Sequence, residues 1–168
     1  FRHTPLAREN RRTYGRHLLA AKQALEDASG QAVHGYRAPV FSLTPATTWV
    51  LPILRETGIK YSSSVLPGRH SLYSFPKTPR RSFLWPQGLV EIPAPTASVF
   101  GIELPFLGGI YLRYLPHVIA KTFLKRQPRE QPLWTYLHPY DIDVAEPYYR
   151  FPDRTAFSSW LLWRNRKN

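Results

Sequence analysis

The 168 residues are 43% hydrophobic and 20% charged, a balance that supports a buried core and excludes disorder as a description of the whole chain. A formal charge of +12 and a sequence pI near 10.3 imply attraction to polyanions, whether nucleic acid, anionic lipid headgroups or an acidic polysaccharide. The lack of cysteine excludes disulfides and thiolate metal sites, and no stretch reaches the roughly 18 uninterrupted apolar residues of a membrane span.

The chain opens on Phe1-Arg2-His3 and contains no methionine, so it is expected to be the later part of a longer protein whose leader, if any, lies upstream. Its compartment is left open between bacterial cytoplasm and cell envelope. From residue 11 to 29, Leu18, Ala21, Leu25 and Ala28 recur at steps of three and four, which predicts a helix with that stripe on one face, stopped by Gly30. Lys22 and Glu26 fall one turn apart and can pair. Residues 33–36 read as a strand ending in the loop 37–42. Thr44 is the expected cap of a helix that begins with Pro45, kinks at Pro52 and stops at Gly58. Residues 59–61 read as the next strand.

Residues 67–88 carry proline, arginine and aromatic side chains without periodicity and are expected to form a long ordered loop. Further strands are expected at 89–92, 110–112 and 133–137, with helices from Pro116 to about Lys125 and from Ala156 to Trp163. Strands alternating with helices predict an α/β barrel or an open α/β sheet.

Six histidines invite a search for a metal site, yet no two are spaced for one face of a helix or strand. His17, His34, His70 and His117 therefore read as ordinary surface or hydrogen-bonded residues. His138 follows the apolar run 133–137 and precedes Pro139. Imidazole exchanges protons near neutrality, so His138 is either a general acid or a histidine bonded to the backbone at a strand end. Arg37 follows a strand and would either clamp a carboxylate in two-point geometry or hold a structural ion pair. Gly108-Gly109 permits close backbone approach or a plain turn. In the 67–88 loop, His70, Tyr73 and Trp85 offer sugar contacts or simply pin the loop to the body of the protein.

Four segments in order, Arg37-Ala38-Pro39, Tyr61-Ser62-Ser63-Ser64, Gly108 through Arg113 and Leu137-His138-Pro139, resemble the NodB-like polysaccharide deacetylases of carbohydrate esterase family 4, in their exosortase-linked exopolysaccharide branch. The resemblance implies a distorted (β/α) barrel, incomplete at its N-terminus, as one partial domain over residues 1–168. It implies a metal-dependent hydrolase that releases acetate from an N-acetylated polysaccharide, with His138 as the acid that protonates the departing amine and Arg37 orienting a catalytic Asp. Tyr61, Gly109, Arg113 and His70 are the implied substrate contacts. The metal, zinc in most of the family, would take His3 as the second histidine of a pair, its other ligands and the Asp base lying upstream.

One departure stands out: the family has Asp where this chain has Ser62. A carboxylate beside an acid histidine orients it and favours its charged form, whereas a hydroxyl only hydrogen-bonds. If that Asp serves His138, this protein has a weaker acid. Two other classes are therefore kept: a non-catalytic carbohydrate-binding relative, which Ser62 favours, and a basic nucleic-acid module. The second is not expected, because charge alone supplies non-specific attraction and no nucleic-acid motif is visible.

Overall fold

The computed structural model describes residues 3–69, 73–152 and 154–166. Its described part is mixed α/β, with six α-helices, a four-stranded sheet and a two-stranded sheet. The chain divides into two compact units, one running to Ala94 with Ser98–Glu103, the other comprising Pro95–Ala97 and the chain from Leu104 on. Among the described residues no helix is long and apolar enough to cross a membrane.

In the first unit, helix α1 spans Arg11–Ser29 with the bounds that the periodicity predicts. Asn10 caps it by accepting the Arg12 N–H at 3.0 Å, and Gly30 ends it at φ 65, a left-handed position that glycine adopts without strain. The Lys22–Glu26 pair forms at 2.6 Å. Burial along the apolar stripe is uneven: Tyr14 and Leu18 pack on the core, while Leu25 is 58% exposed. The reason lies in the partner helix α2, Val50–Glu56, which is seven residues long and ends near Lys22, so the last turns of α1 run past it.

Strand β1 (Gly35–Tyr36) is followed by a 3-10 turn at Pro39–Phe41 and another at Pro45–Thr47. The single kinked helix expected from Pro45 is thus two pieces, and the break falls at Thr48 and Trp49, not at Pro52. Thr47 Oγ1 explains it: it accepts the Thr44 N–H at 2.8 Å and donates to the Ser42 carbonyl at 2.9 Å, closing the first turn on itself. Pro52 then falls in the first turn of α2, where a missing N–H costs nothing.

β2 is Tyr61–Ser62 and β4 is Val90–Glu91; β1, β2 and β4 are parallel, and β3 (Phe83–Leu84) lies antiparallel on β4. The loop expected over 67–88 therefore contains a strand. Its signal was the hairpin turn that follows: the Trp85 N–H bonds the Leu89 carbonyl across Pro86, Gln87 and Gly88, with Gly88 at φ 75. Leu6, Leu43, Val50, Leu51, Leu54, Ile59, Val65 and Leu89 form the core beneath. At its edge the Tyr14 and Tyr36 hydroxyls meet at 2.6 Å, and burial pushes both above the ordinary tyrosine value, Tyr36 the further because Tyr14 stands against it.

Raised folded-state values mean that this pair holds its protons more tightly when folded. Its contribution to stability is complete below the unfolded value of 10.0 and is lost as pH rises above it. Urea denaturation between pH 9 and 11 is expected to show stability falling with pH, and Tyr36→Phe is expected to flatten that fall while costing about 1 kcal/mol at neutral pH through the lost hydrogen bond. An unchanged alkaline slope in the variant would count against this assignment.

The chain continues with a hairpin, β5 (Thr96–Val99) and β6 (Ile102–Pro105), turned by Phe100 and Gly101, both at positive φ. The second unit continues with α3 (Gly109–Tyr114), α4 (His117–Lys125), α5 (Pro139–Ile142) and α6 (Ala156–Trp163). Helices α4 and α6 fall where expected, α6 capped by Thr155 Oγ1 on the Ser158 N–H at 3.1 Å. Residues 110–112 are helical, not a strand: three residues are too few to show alternation, and extended Gly108 accepts the Tyr111 N–H at 2.8 Å to start a turn. Residues 133–137 form no strand either. Their one ladder contact is a parallel bridge from Tyr136 to Gly108, because the segment runs against the start of α3 and not along a sheet.

Candidate functional site

Each unit gathers some of the residues singled out above. In the first, the loops that follow the parallel strands β1 and β2 are tied together. Arg37 Nε donates to the Ser63 carbonyl at 3.0 Å and Nη2 to Ser63 Oγ at 3.1 Å, and the guanidinium lies 5.8 Å from the Phe41 ring centroid. Ser62 is fully buried and donates to Ser64 Oγ at 2.8 Å, which in turn accepts the Ala38 N–H at 2.9 Å. Tyr61 is partly exposed, its ring lying over Gly35, its register partner, where a β-carbon would overlap it.

Beneath these serines sits Glu91, fully buried on β4 and not anticipated from the sequence. Its Oε1 accepts the N–H groups of Ser64 and Val65 at 2.6 and 2.9 Å, and its Oε2 accepts Trp85 Nε1 at 3.2 Å. Three donors make a buried carboxylate tolerable and fix the loop after β2. The available signal was an acidic residue inside an otherwise apolar strand. Trp85 itself packs on Phe75 and Phe83 at 5.4 and 4.9 Å, so it does pin the 67–88 loop. His70 lies outside the described residues.

The second unit holds Gly109, Arg113 and His138 in one network, completed by Asp141. His138 is the N-cap of α5, Pro139 takes the first helical position and Asp141 the third. Asp141 Oδ2 accepts the His138 N–H at 2.8 Å and stands 3.1 Å from His138 Nδ1. The other oxygen, Oδ1, is 3.1 Å from Arg113 Nε. Arg113 and Asp141 are each 3% exposed, whereas the imidazole is half exposed. Arg113 Nη1 also donates to the carbonyls of Leu162 and Arg164 at 2.9 and 2.8 Å, the last turn of α6.

Around the imidazole, Tyr140 stacks at 4.7 Å and 8° and Tyr136 presents its ring at 6.1 Å and 88°. Burial, reinforced by the Asp141 charge, raises the Tyr140 hydroxyl above its ordinary value, so this ring stays neutral. The two glycines serve close approach. The Gly109 N–H bonds the Tyr136 carbonyl at 2.8 Å with the Asp141 carboxylate just beyond, and a β-carbon on Gly108 would lie inside the Tyr136 ring. Gly108→Ala is expected to cost about 1–3 kcal/mol in thermal or urea unfolding, relieved when Tyr136 is also cut to Ala. Additive losses in the double variant would rule out this contact as the cause.

Chemically, a proton on His138 Nδ1 is held by the carboxylate beside it, and Nε2 is then the nitrogen left to exchange a proton with a bound molecule. The carboxylate beside His138 Nδ1 is thus Asp141, three residues downstream. His3 is exposed, and among the described residues no group of three His, Asp or Glu could hold an ion.

No curated protein and no solved structure matches the chain. A family model, described as a domain of unknown function, DUF3473, matches residues 63–168, a stretch that contains Ser63, Glu91 and the whole Arg113–Asp141–His138 network and leaves out His3, Arg37 and Tyr61. More than half of the chain is covered by that match, and the protein belongs to the DUF3473 family.

Proposed function

We propose that this chain supplies the general-acid half of a polysaccharide deacetylase, with His138 delivering the proton to the amine that leaves as an N-acetyl group is hydrolysed. The observation that carries the reading is the half-exposed His138 ring, held at Nδ1 by buried Asp141, itself anchored by Arg113. Support also comes from the family, whose domains are found at the C-terminus of polysaccharide deacetylase-like proteins. Arg37 and Ser63 follow directly on parallel strands, where (β/α) barrels carry their sites, and a distorted barrel remains the proposed fold of the whole protein.

The chemistry follows from protonation alone. An amine is a poor leaving group until protonated, and an imidazolium whose Nδ1–H is bonded to a carboxylate can pass its Nε2 proton to it. A general acid so placed contributes about 10²–10⁴ in rate. The tyrosines at 136 and 140 keep the ring from rotating. The metal ligands of such an enzyme would lie outside the described residues, apart from His3, so no step here runs through the metal. Polymer is the expected substrate, and Gly109 and Arg113 are proposed to serve it in the second unit. Arg113 and Gly109 act there through Asp141 and the backbone.

Compared with a non-catalytic sugar-binding relative, the acid reading is favoured by Asp141, which stands at His138 Nδ1 and leaves the half-exposed ring able to pass a proton from Nε2. The deciding experiment is acetate release from an N-acetylated polysaccharide by the full-length gene product with zinc present. Release that is lost in His138→Gln supports the enzyme. Polysaccharide binding without release, in the wild-type protein, would sink it and leave the binding relative.

A further inference from the structure

We infer that the outward face of α6 is a docking surface for an anionic lipid bilayer, independent of the His138 chemistry. The helix reads Ala-Phe-Ser-Ser-Trp-Leu-Leu-Trp, apolar nearly all round, so that it buries one side in the protein and still presents apolar rings on the other. Ser159 is its fully buried position, and Phe157, Trp160 and Arg164 lie on the opposite side at helical spacing. Phe157 is 69% exposed and Trp160 36% exposed. Their rings stack at 6.0 Å and 29°, and the Arg164 guanidinium lies 4.7 Å from the Trp160 ring centroid.

The arrangement is rigid where it needs to be. Arg113 Nη1 bonds the carbonyls of Leu162 and Arg164, and the Tyr114 hydroxyl donates to the Leu161 carbonyl at 2.8 Å, so the inner side of α6 is tied to α3. The outer aromatics have no such role in the fold. What selects the occupant is charge: exposed Arg154 precedes the helix, Arg164 follows it and the chain carries +12. Exposed phenylalanine and tryptophan rings beside arginines suit the boundary of an anionic bilayer, where aromatic rings sit at headgroup level and cations meet phosphate. A neutral protein surface or a second copy of this equally basic chain would gain nothing from the arginines.

The test is co-sedimentation of the full chain with vesicles of phosphatidylglycerol and phosphatidylethanolamine, against vesicles of phosphatidylcholine, followed also by tryptophan emission. Binding to the anionic vesicles with a blue shift is expected. The double substitution Phe157→Ser and Trp160→Ser, both at exposed positions, is expected to weaken it at least about tenfold with far-ultraviolet circular dichroism unchanged. Arg164→Gln should weaken it less and reduce its salt dependence. Undiminished binding by the double variant would overturn the proposal, placing the attraction in scattered charge. So would failure to bind vesicles, or a dimer or polysaccharide complex that the double variant abolishes. Acetate release in solution bears on none of these outcomes, so either reading can fail alone.

Discussion

Arg113→Ala is expected to destabilise the second unit by about 3–5 kcal/mol, the range seen when one partner of a buried ion pair is removed. Two losses combine. Asp141, 3% exposed, would lose the guanidinium that its Oδ1 faces, Arg113 Nε at 3.1 Å. The carbonyls of Leu162 and Arg164 would lose their shared donor at the end of α6. For a unit of this size each kcal/mol moves the thermal midpoint by about 4–8 °C, so a fall on the order of 15 °C or more is expected. Arg113→Lys should recover little: an ammonium is a point donor and cannot hold a carboxylate and two carbonyls from fixed planar geometry. Near-ultraviolet circular dichroism on heating reads the change through Trp160 and Trp163. A midpoint within a few degrees of wild type would show that the network is incidental to the fold.

The same residues show how far the sequence could be read. Helices α1 and α6 lie close to where the periodicity places them, and each carries its own boundary chemistry, a capping side chain at the start and, for α1, a left-handed glycine at the end. Arg37, Arg113 and His138 were legible as chemical groups, but what each touches was not. Arg37 was read as a clamp for a carboxylate or an ion-pair partner, and two of its bonds, at 3.0 and 3.1 Å, tie it to Ser63. Asp141 was missed although its signal was present: His-Pro-Tyr-Asp places a proline at the first helical position and a carboxylate at the third, the spacing of a capping box. The apolar run 133–137 before it reads as a strand by composition alone. Those residues, like 110–112, have strand-forming side chains but settle otherwise, because Gly108 and Tyr136 meet in a contact far apart in sequence. Glu91 shows the converse, a residue whose burial no local pattern announces because its three donors come from two other segments.

His138→Gln in the full-length protein is expected to lower the rate of acetate release about 10²–10⁴-fold while leaving KM within a few-fold, since glutamine retains hydrogen bonding but cannot deliver a proton. Asp141→Asn separates orientation from proton transfer. An asparagine preserves the side chain's shape, yet it can turn its amide toward Nδ1, which then becomes an acceptor and shifts the ring proton to Nε2 in the neutral form. The variant is expected to lose most of the activity of His138→Gln and to change the pH profile of kcat/KM on the limb set by the acid, a readout that mere loosening of the fold would not move. Asp141→Glu, which keeps the charge, should recover part of the rate. The double variant His138→Gln with Asp141→Asn should be little worse than either single one, because the pair acts as one unit. If instead the losses multiply, Asp141 serves the fold through Arg113 alone, and His138 finds its orientation in the stacked ring of Tyr140.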